Sequence, residues 1–159
     1  MKITILSVGK IKERYFKDAI SEYEKRLSRY CKLKFIEVAD EKTPDQSSSL
    51  EKKIIRQKEG KRLLKHIRDE AYVITLEING KELNSEQFGR RIENLGVTGV
   101  NHIYFVIGGS IGLGEEVKKR ADFALSFSKL TFPHQLMRVI LLEQIYRGYR
   151  IMKGEPYHK

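Results

Sequence analysis

Two short apolar runs, each followed by a loop of small or polar residues, constrain the fold of this chain more than any other feature. Residues 103–107 lead into a glycine-rich loop at 108–114, and residues 123–127 lead into a second loop at 128–132. Continuous apolar runs of this length are typical of strands buried on both faces, as in parallel sheets. Ligands of such sheets bind beyond the carboxyl ends of the strands. The sequence therefore predicts a ligand site where these two loops meet.

Strand-like and helix-like segments alternate along the rest of the chain. Alternating or continuous apolar patterns predict strands, and apolar residues recurring every three or four positions predict helices. The predicted strands are 2–8, 34–39 and 72–78, the last ended by a turn at Asn79-Gly80, and the predicted helices are 13–30, 50–68 (with Ser49 as its N-cap), 84–95 and 134–149. This order predicts an α/β fold with a largely parallel sheet and helices on both faces.

The length and the residue types exclude several classes of protein. A chain of 159 residues predicts a single domain spanning residues 1–159. No apolar run approaches the roughly 20 residues that cross a bilayer. The lone Cys31 excludes an intramolecular disulfide and a cysteine-based zinc site, and the dispersed histidines show no metal-ligand spacing. We expect a cytoplasmic protein that binds neither membrane nor metal.

The chain is strongly basic, with 31 Lys and Arg residues against 21 Asp and Glu residues and a net charge of +10. A surplus of this size favours a polyanionic partner, and nucleic acid is the commonest one. The alternative is a soluble basic protein without such a partner. Between residues 118 and 159 only Asp122, Glu143 and Glu155 oppose the bases, so the surplus is predicted to lie near the loops of the ligand site.

The glycine-rich loop matches neither of the common phosphate-binding motifs. Gly109, Gly112 and Gly114 have the spacing G-x-x-G-x-G, the reverse of the dinucleotide fingerprint, and no Gly-Lys-Ser/Thr follows. Glu115 and Glu116 would lie in the first turn of the next helix, where they would repel a phosphate. The loop therefore favours a ligand without phosphates that the backbone approaches closely. The alternative is a tight turn with no ligand.

The last predicted helix is apolar on more than one face. A helix of this kind in a small chain needs two partners. One is the sheet of its own chain, and we expect the other to be a second protomer in a homodimer. The alternative is that it is only the central core helix.

Four segments in fixed order resemble one known family. They are Val-Ile-Gly-Gly at 106–109, Ser-Phe-Ser-Lys-Leu-Thr-Phe-Pro-His at 126–134, Leu-Glu-Gln-Ile-Tyr-Arg at 142–147 and Pro-Tyr-His at 156–158. Together with the chain length, they resemble the ribosomal RNA large-subunit methyltransferase H family, whose members are the smallest SPOUT methyltransferases. The resemblance covers the whole chain.

The resemblance implies a reaction and a knotted fold. The family transfers a methyl group from S-adenosylmethionine to N3 of a pseudouridine in large-subunit ribosomal RNA, on the assembled ribosome. Its C-terminal part forms a deep trefoil knot, and its homodimer completes each cofactor pocket with the tail of the partner. The positions implied to bind the cofactor are Leu76, Gly108, Phe127, Ser128, Lys129, Leu130, Thr131 and Phe132, with the Lys129 ammonium expected to point away from the sulfonium.

The implied reaction requires the acceptor N3 to lose its proton, with charge developing on the flanking carbonyl oxygens. The candidates for assisting it are His158, Tyr157 and Arg138. His158 would act as the base or would only stack on or hydrogen-bond to the nucleobase. Arg138 or Arg147 would stabilise the anion or hold a phosphate. Two other functions stay open: a non-catalytic, ribosome-associated RNA-binding protein, and a SPOUT methyltransferase acting on transfer RNA.

Overall fold

The computed structural model describes residues 1–159 as alternating strands and helices. The elements, in chain order, are β1 (Lys2–Val8), α1 (Arg14–Leu27), β2 (Lys32–Val38), α2 (Ser49–Leu64), β3 (Tyr72–Glu82), α3 (Ser85–Val97), β4 (His102–Ile107), α4 (Glu115–Arg120), β5 (Phe123–Ser126) and α5 (His134–Met152). Each strand and helix predicted from the sequence is present.

The five strands form one sheet in the order β2-β1-β4-β3-β5, and each neighbouring pair is parallel. All five carboxyl ends therefore lie at one edge of the sheet, which we call the carboxyl edge. The opposite edge, where the strands begin, is the amino edge. The predicted parallel α/β sheet is confirmed.

Two apolar cores lie on the two faces of this sheet. On one face, Leu27 of α1, Phe88 of α3 and Leu141 of α5 pack with strand residues that include Phe105. The other face has a smaller core, in which Leu63 of α2 and Val117 of α4 cover the other strand side chains. The alternation of side chains along each strand produces this division. Helices on both faces are thus confirmed.

Strand β3 continues through Asn79-Gly80, so the predicted turn at this position is wrong. Its pairing with β5 shifts register between Leu76 and Lys81, which both pair with Leu125. A Cβ at Gly80 would lie 2.8 Å from the backbone of Ala124. The glycine is therefore needed because the two strands approach closely, a tertiary requirement that also marks bulges.

The helix starts follow ordinary capping chemistry. Ser48, and not Ser49 as predicted, caps α2 by accepting a hydrogen bond from the Glu51 amide. Asn84 caps α3 and forms a reciprocal pair with Gln87, a capping box. No helix of the structure is both long enough and apolar enough to cross a membrane.

Helix α5 packs between α1 and α3 inside its own chain. Leu141, Leu142 and Ile145 are fully buried, and Gly148 meets Gly89 of α3. Much of the apolar surface of α5 is therefore covered within one protomer, which satisfies the core-helix alternative. The homodimer stays a prediction.

Candidate active site

A cleft opens at the carboxyl edge, between the ends of β4 and β5 and the part of β3 where its register with β5 shifts, after Leu76. It has a volume of about 120 Å³ and is lined by Leu76, Glu77, Ile78, Ile107, Gly108, Leu125, Phe127, Ser128, Leu130, Thr131, Phe132 and Met137. Most of these side chains are apolar. The cleft lies where the two loops singled out in the sequence meet, as the strand-end argument predicts.

Gly108 begins a narrow turn that forms one wall of the cleft. A Cβ at Gly108 would lie 2.7 Å from the carbonyl carbon of Gly112, closer than any side chain tolerates. The Gly112 amide donates to the Gly109 carbonyl at 3.2 Å, and Gly112 adopts a positive φ of 82°. The turn therefore needs glycine at both ends, which brings bare backbone to the cleft surface.

The loop after β5 forms the opposite wall and is held by side-chain hydrogen bonds. The Ser126 hydroxyl donates to the Ile78 carbonyl at 2.9 Å, and the Leu130 amide donates to the Ser128 hydroxyl at 3.0 Å. The Leu130 side chain is 70% exposed at the rim. Such a large exposed apolar side chain beside a cleft suits contact with a ligand or a second protomer.

Of the eight residues predicted to bind the cofactor, seven line this cleft. Lys129 does not line it, and its ammonium lies 3.4 Å from the Ile78 carbonyl. The structure thus brings together three segments that are far apart in sequence: the register shift of β3 and the loops that follow β4 and β5. The residues missed by the sequence reasoning are Glu77, Ile78, Ile107, Leu125 and Met137. Four of them lie within two residues of a predicted position. The ends of the predicted strands are therefore the sequence signal that identifies them.

Glu77 is the only charged side chain that lines the cleft. It accepts a hydrogen bond from the Thr75 hydroxyl at 2.6 Å, and Lys118 lies 3.9 Å away. Both partners fix the carboxylate beside an otherwise apolar surface. The cleft lining therefore holds a single carboxylate, whose charge the Lys118 ammonium partly offsets.

The C-terminal tail folds back against the middle of α5. The Tyr157 hydroxyl donates to Glu143 at 3.1 Å, and its ring packs on Tyr146 and beneath the Arg147 guanidinium. Burial and the hydrogen bond to Glu143 raise the pKa of Tyr157. The His158 ring lies 3.3 Å from Arg147. The structure therefore brings Tyr157 and His158 together with a cation.

This tail is separated from the cleft of its own protomer. Met137 lines the cleft and Arg147 contacts the tail, and ten residues of α5 separate them. A helix rises 1.5 Å per residue, so the two sites are about 15 Å apart along the axis. One protomer alone does not bring His158 to the cleft.

Arg138 does not line the cleft and is almost fully enclosed, with 2% of its surface exposed. Its guanidinium donates to Glu37 at 2.6 Å and to the carbonyls of Val8 and Gly9 at 3.0 and 2.8 Å. It thereby ties α5 to the ends of β1 and β2. The structure places it apart from Tyr157 and His158, and its contact with a reacting base stays a prediction.

A buried carboxyl group supports the glycine turn from the other face of the sheet. Glu59 of α2 accepts a hydrogen bond from the Glu41 amide at 3.0 Å, and its other oxygen has no partner. A Cβ at Gly109 would lie 3.4 Å from both oxygens. Burial raises the pKa of Glu59. The carboxyl group therefore lies against Gly109 in the turn that walls the cleft.

The arrangement suits binding and positioning more than covalent catalysis. The cleft lining includes no cysteine, histidine or lysine, and no cluster of three or more His, Cys, Asp or Glu residues in the structure could hold a metal ion. Apolar walls, exposed backbone and one carboxylate can hold an aromatic ring joined to a cationic group.

Comparison with known proteins agrees with this geometry. A family model described as "Predicted SPOUT methyltransferase" matches residues 1–158. A Clostridium kluyveri protein named ribosomal RNA large subunit methyltransferase H is 60% identical to this chain, and a Bifidobacterium adolescentis protein of the same name is 62% identical. Both matches span the full length of both chains.

A solved structure shares the fold. A probable methylase family protein from Haemophilus influenzae has a TM-score of 0.53 over 99% of this chain and 70% of its own, at 12% identity. The full-length family match and the relatives at about 60% identity lead to one conclusion. This chain belongs to the SPOUT methyltransferases, and within them to the ribosomal RNA large subunit methyltransferase H family.

Proposed function

We propose that this chain methylates N3 of a pseudouridine in large-subunit ribosomal RNA on the assembled ribosome, with S-adenosylmethionine as the methyl donor. Family membership supports the reaction class. The observation that carries the proposal is the cleft between the ends of β4 and β5 and the register shift of β3, which combines exposed backbone at Gly108 with a single carboxylate at Glu77.

The cleft residues fit the donor. Leu76, Phe127, Leu130 and Phe132 would pack against the adenine ring, and backbone groups near Gly108 would hydrogen-bond its edge. Glu77 would complement the positive charge of the sulfonium. Lys129 would stay outside the cleft because its ammonium would repel that charge. When bound, the donor supplies an electrophilic methyl group, whose transfer depends mainly on in-line positioning of the acceptor.

The tail residues are proposed to handle the acceptor. His158 would take the N3 proton or hold the base by stacking and hydrogen bonding, and Tyr157 would orient it through its anchored ring. The Arg147 guanidinium lies 3.3 Å from the His158 ring and would help to hold it in place. Arg138 would act indirectly by fixing the ends of β1 and β2.

The active unit in this proposal is a homodimer of single-domain chains, each residues 1–159. The tail lies about 15 Å along α5 from its own cleft. The cleft volume of about 120 Å³ is below the roughly 300 Å³ of ordinary ligand pockets. The tail of a partner protomer would account for both the distance and the small volume. It would enlarge and close the cleft, and it would bring His158 to it. We also propose a cytoplasmic location, where ribosomes are found.

The direct test is transfer of labelled methyl from S-adenosylmethionine to ribosomes purified from cells that lack this modification. Transfer RNA and naked ribosomal RNA serve as parallel acceptors. We expect label in the large-subunit RNA of ribosomes and much less in naked RNA. Label confined to transfer RNA would overturn the substrate, and an absence of both label and donor binding would support a non-catalytic RNA-binding protein.

The shared site is tested by mixing two inactive variants. A Gly108→Ala protomer lacks a working cleft, and a His158→Ala protomer lacks a working tail. In a mixed dimer, the intact cleft of the His158→Ala protomer is completed by the intact tail of the Gly108→Ala protomer. One of the two sites is then complete, so we expect activity to return. Mixtures without recovery, from variants that remain dimeric, would contradict the shared site.

A further inference from the structure

The face of the sheet that α2 covers changes character along the strands. Side chains in register across β2, β1 and β4 form rows on this face. Near the carboxyl edge the row is apolar, with Ile36, Leu6 and Val106 beneath α2. The two rows nearest the amino edge are polar or aromatic: Lys32, Lys2 and His102, then Lys34, Thr4 and Tyr104. Helix α2 ends at Leu64, so Lys2, Lys32 and Lys34 are exposed. His102 is half-buried between them, and Thr4 and Tyr104 are buried beneath.

The uncovered part of the face forms a groove. Two depressions of about 610 and 480 Å³ share Lys2, Lys32, Arg68 and His102 as lining residues. Lys34 and Lys65 line the second depression. We call this surface the amino-edge groove and define it by Lys2, Lys32, Lys34, Lys65, Arg68 and His102.

The cations of the amino-edge groove have no acidic partners. None of Lys2, Lys32, Lys34, Lys65 and Arg68 forms an ion pair in the structure. Glu70 is the only acidic residue that lines the groove. By contrast, five bases of the C-terminal region are paired: Lys118, Arg120, Arg138, Arg147 and Arg150. Five cations without an ion-pair partner therefore line one groove at the amino edge.

His102 gives the floor of the groove a flat, polar element. Its ring stacks on Tyr104 with centroids 4.4 Å apart, and its Nε2 lies 2.9 Å from the Thr4 hydroxyl. Burial, followed by the charges of Arg68 and Lys2, lowers the pKa of His102. The charges of two groove cations thus converge at this ring, which stays neutral and available for stacking.

We propose that the amino-edge groove binds the phosphate backbone of ribosomal RNA, as a contact separate from the cofactor cleft. This inference rests on the proposed function, because it assumes that RNA is the substrate. Five unpaired cations around an open groove match a chain of phosphates, and phosphate contacts fix the position of an RNA without reading its sequence. A neutral stacked ring on the floor is compatible with a ribose or a base.

The groove and the cleft lie at opposite ends of the same strand. His102 begins β4 and Ile107 ends it beside the cleft, so five residue rises of about 3.3 Å separate them, roughly 16 Å in all. One nucleotide cannot reach both sites. The groove would therefore hold RNA flanking the target and set the register of the methylated base.

The test compares two double variants that lose the same charge. The variant Lys32→Gln/Lys34→Gln neutralises two exposed groove cations, which lie on the same face of β2. In the control, Lys53→Gln/Lys58→Gln, two exposed α2 cations outside the groove become neutral. Donor affinity, measured by calorimetry, and unfolding temperature are expected to match the wild type in both variants.

For the groove variant we expect about tenfold weaker binding to ribosomes and a higher KM for them with kcat unchanged. The slope of log affinity against log salt should decrease by about one per lost phosphate contact, thus by about two. The control should keep the wild-type slope. Equal slopes and affinities for the two variants would overturn the groove while leaving the methyltransferase proposal intact. If the wild type methylates nothing, the proposed function fails, and binding of the same variants to ribosomal RNA still decides the role of the groove.

Discussion

Arg138 of α5 donates a hydrogen bond of 2.6 Å to Glu37 of β2, and it holds the carbonyls of Val8 and Gly9 with its other terminal nitrogen. One enclosed guanidinium therefore joins the last helix to the ends of two strands at the carboxyl edge. This geometry indicates a positioning residue whose loss affects folding as well as activity.

We expect Arg138→Met to lower the free energy of unfolding by about 2–4 kcal/mol, because two backbone carbonyls and Glu37 lose a charged donor. Chemical denaturation without ligand measures this effect. The control is Arg147→Met, which breaks a half-buried pair with Glu143 one turn away on the same helix and should lose less, about 1 kcal/mol. Unchanged stability together with a large fall in kcat would instead support direct contact of Arg138 with the reacting base.

The crossing of α3 and α5 depends on two glycines. A Cβ at Gly148 would lie 3.2 Å from the Cα of Gly89. The backbone at a helix crossing cannot move far enough to relieve this contact fully. Within a helix, alanine raises the free energy of unfolding by about 1 kcal/mol relative to glycine, but overpacking lowers it by about 1–3 kcal/mol. We expect Gly148→Ala to be destabilising by up to about 2 kcal/mol. Gly96→Ala, also in a helix but 3.7 Å from its nearest neighbour, should stabilise by up to about 1 kcal/mol; a gain in both variants would contradict the tight crossing.

Gly108→Ala tests the turn that walls the cleft. The added methyl would lie 2.7 Å from Gly112, so the turn must shift, and the wall beside the donor moves with it. We expect donor affinity to fall at least about tenfold, equivalent to 1.4 kcal/mol. Calorimetric titration with S-adenosylmethionine measures it, with Gly96→Ala as the control. Wild-type affinity in Gly108→Ala would show that the donor binds elsewhere.

Much of this cleft could be predicted from the sequence, because it is built at strand ends. Continuous apolar runs identified β4 and β5, and residues 2–8 were predicted with the observed bounds. No local pattern predicts the continuation of β3 through Gly80, because it follows from close contact with Ala124. The trefoil knot was equally outside pattern reasoning, and family membership implies it.

The distribution of charge over the surface is predicted less well by the sequence than the cleft is. Counting along the sequence placed the basic surplus after residue 118, but Glu37 and Glu77 reach that region from β2 and β3 and pair with Arg138 and Lys118. The groove cations are spread over residues 2–68, and they are brought together by the strand register and by the position where α2 ends. Pairing across a sheet is set by the sheet order, which the sequence pattern left open.

Glu77→Gln tests whether the single carboxylate of the cleft selects a cationic ligand. The variant keeps the size of the side chain and removes its charge. A partly solvated charge pair contributes on the order of 1 kcal/mol, which is about fivefold in affinity. We expect S-adenosylmethionine to bind about fivefold more weakly, while S-adenosylhomocysteine, which lacks the sulfonium charge, keeps its affinity. Equal losses for both ligands would mean that Glu77 acts through shape alone.

The buried carboxyl group of Glu59 should make stability depend on pH. Burial raises its pKa, so the folded chain holds this proton more tightly than the unfolded chain does. The stabilisation from the proton is complete below the pKa of an unfolded glutamate, about 4.3, and is lost as the pH rises through the higher pKa of the folded chain. Near neutral pH the ionised group therefore destabilises the fold beneath the glycine turn.

We accordingly expect Glu59→Gln to raise the unfolding temperature at pH 7.5 and to give a smaller difference from the wild type at pH 4.5. The amide oxygen can still accept the hydrogen bond from Glu41, so the change isolates the charge. Calorimetric melts at both pH values measure it. A variant that is less stable than the wild type at pH 7.5 would show that the carboxylate is stabilised in the fold, with Arg62 as the nearest available source of positive charge.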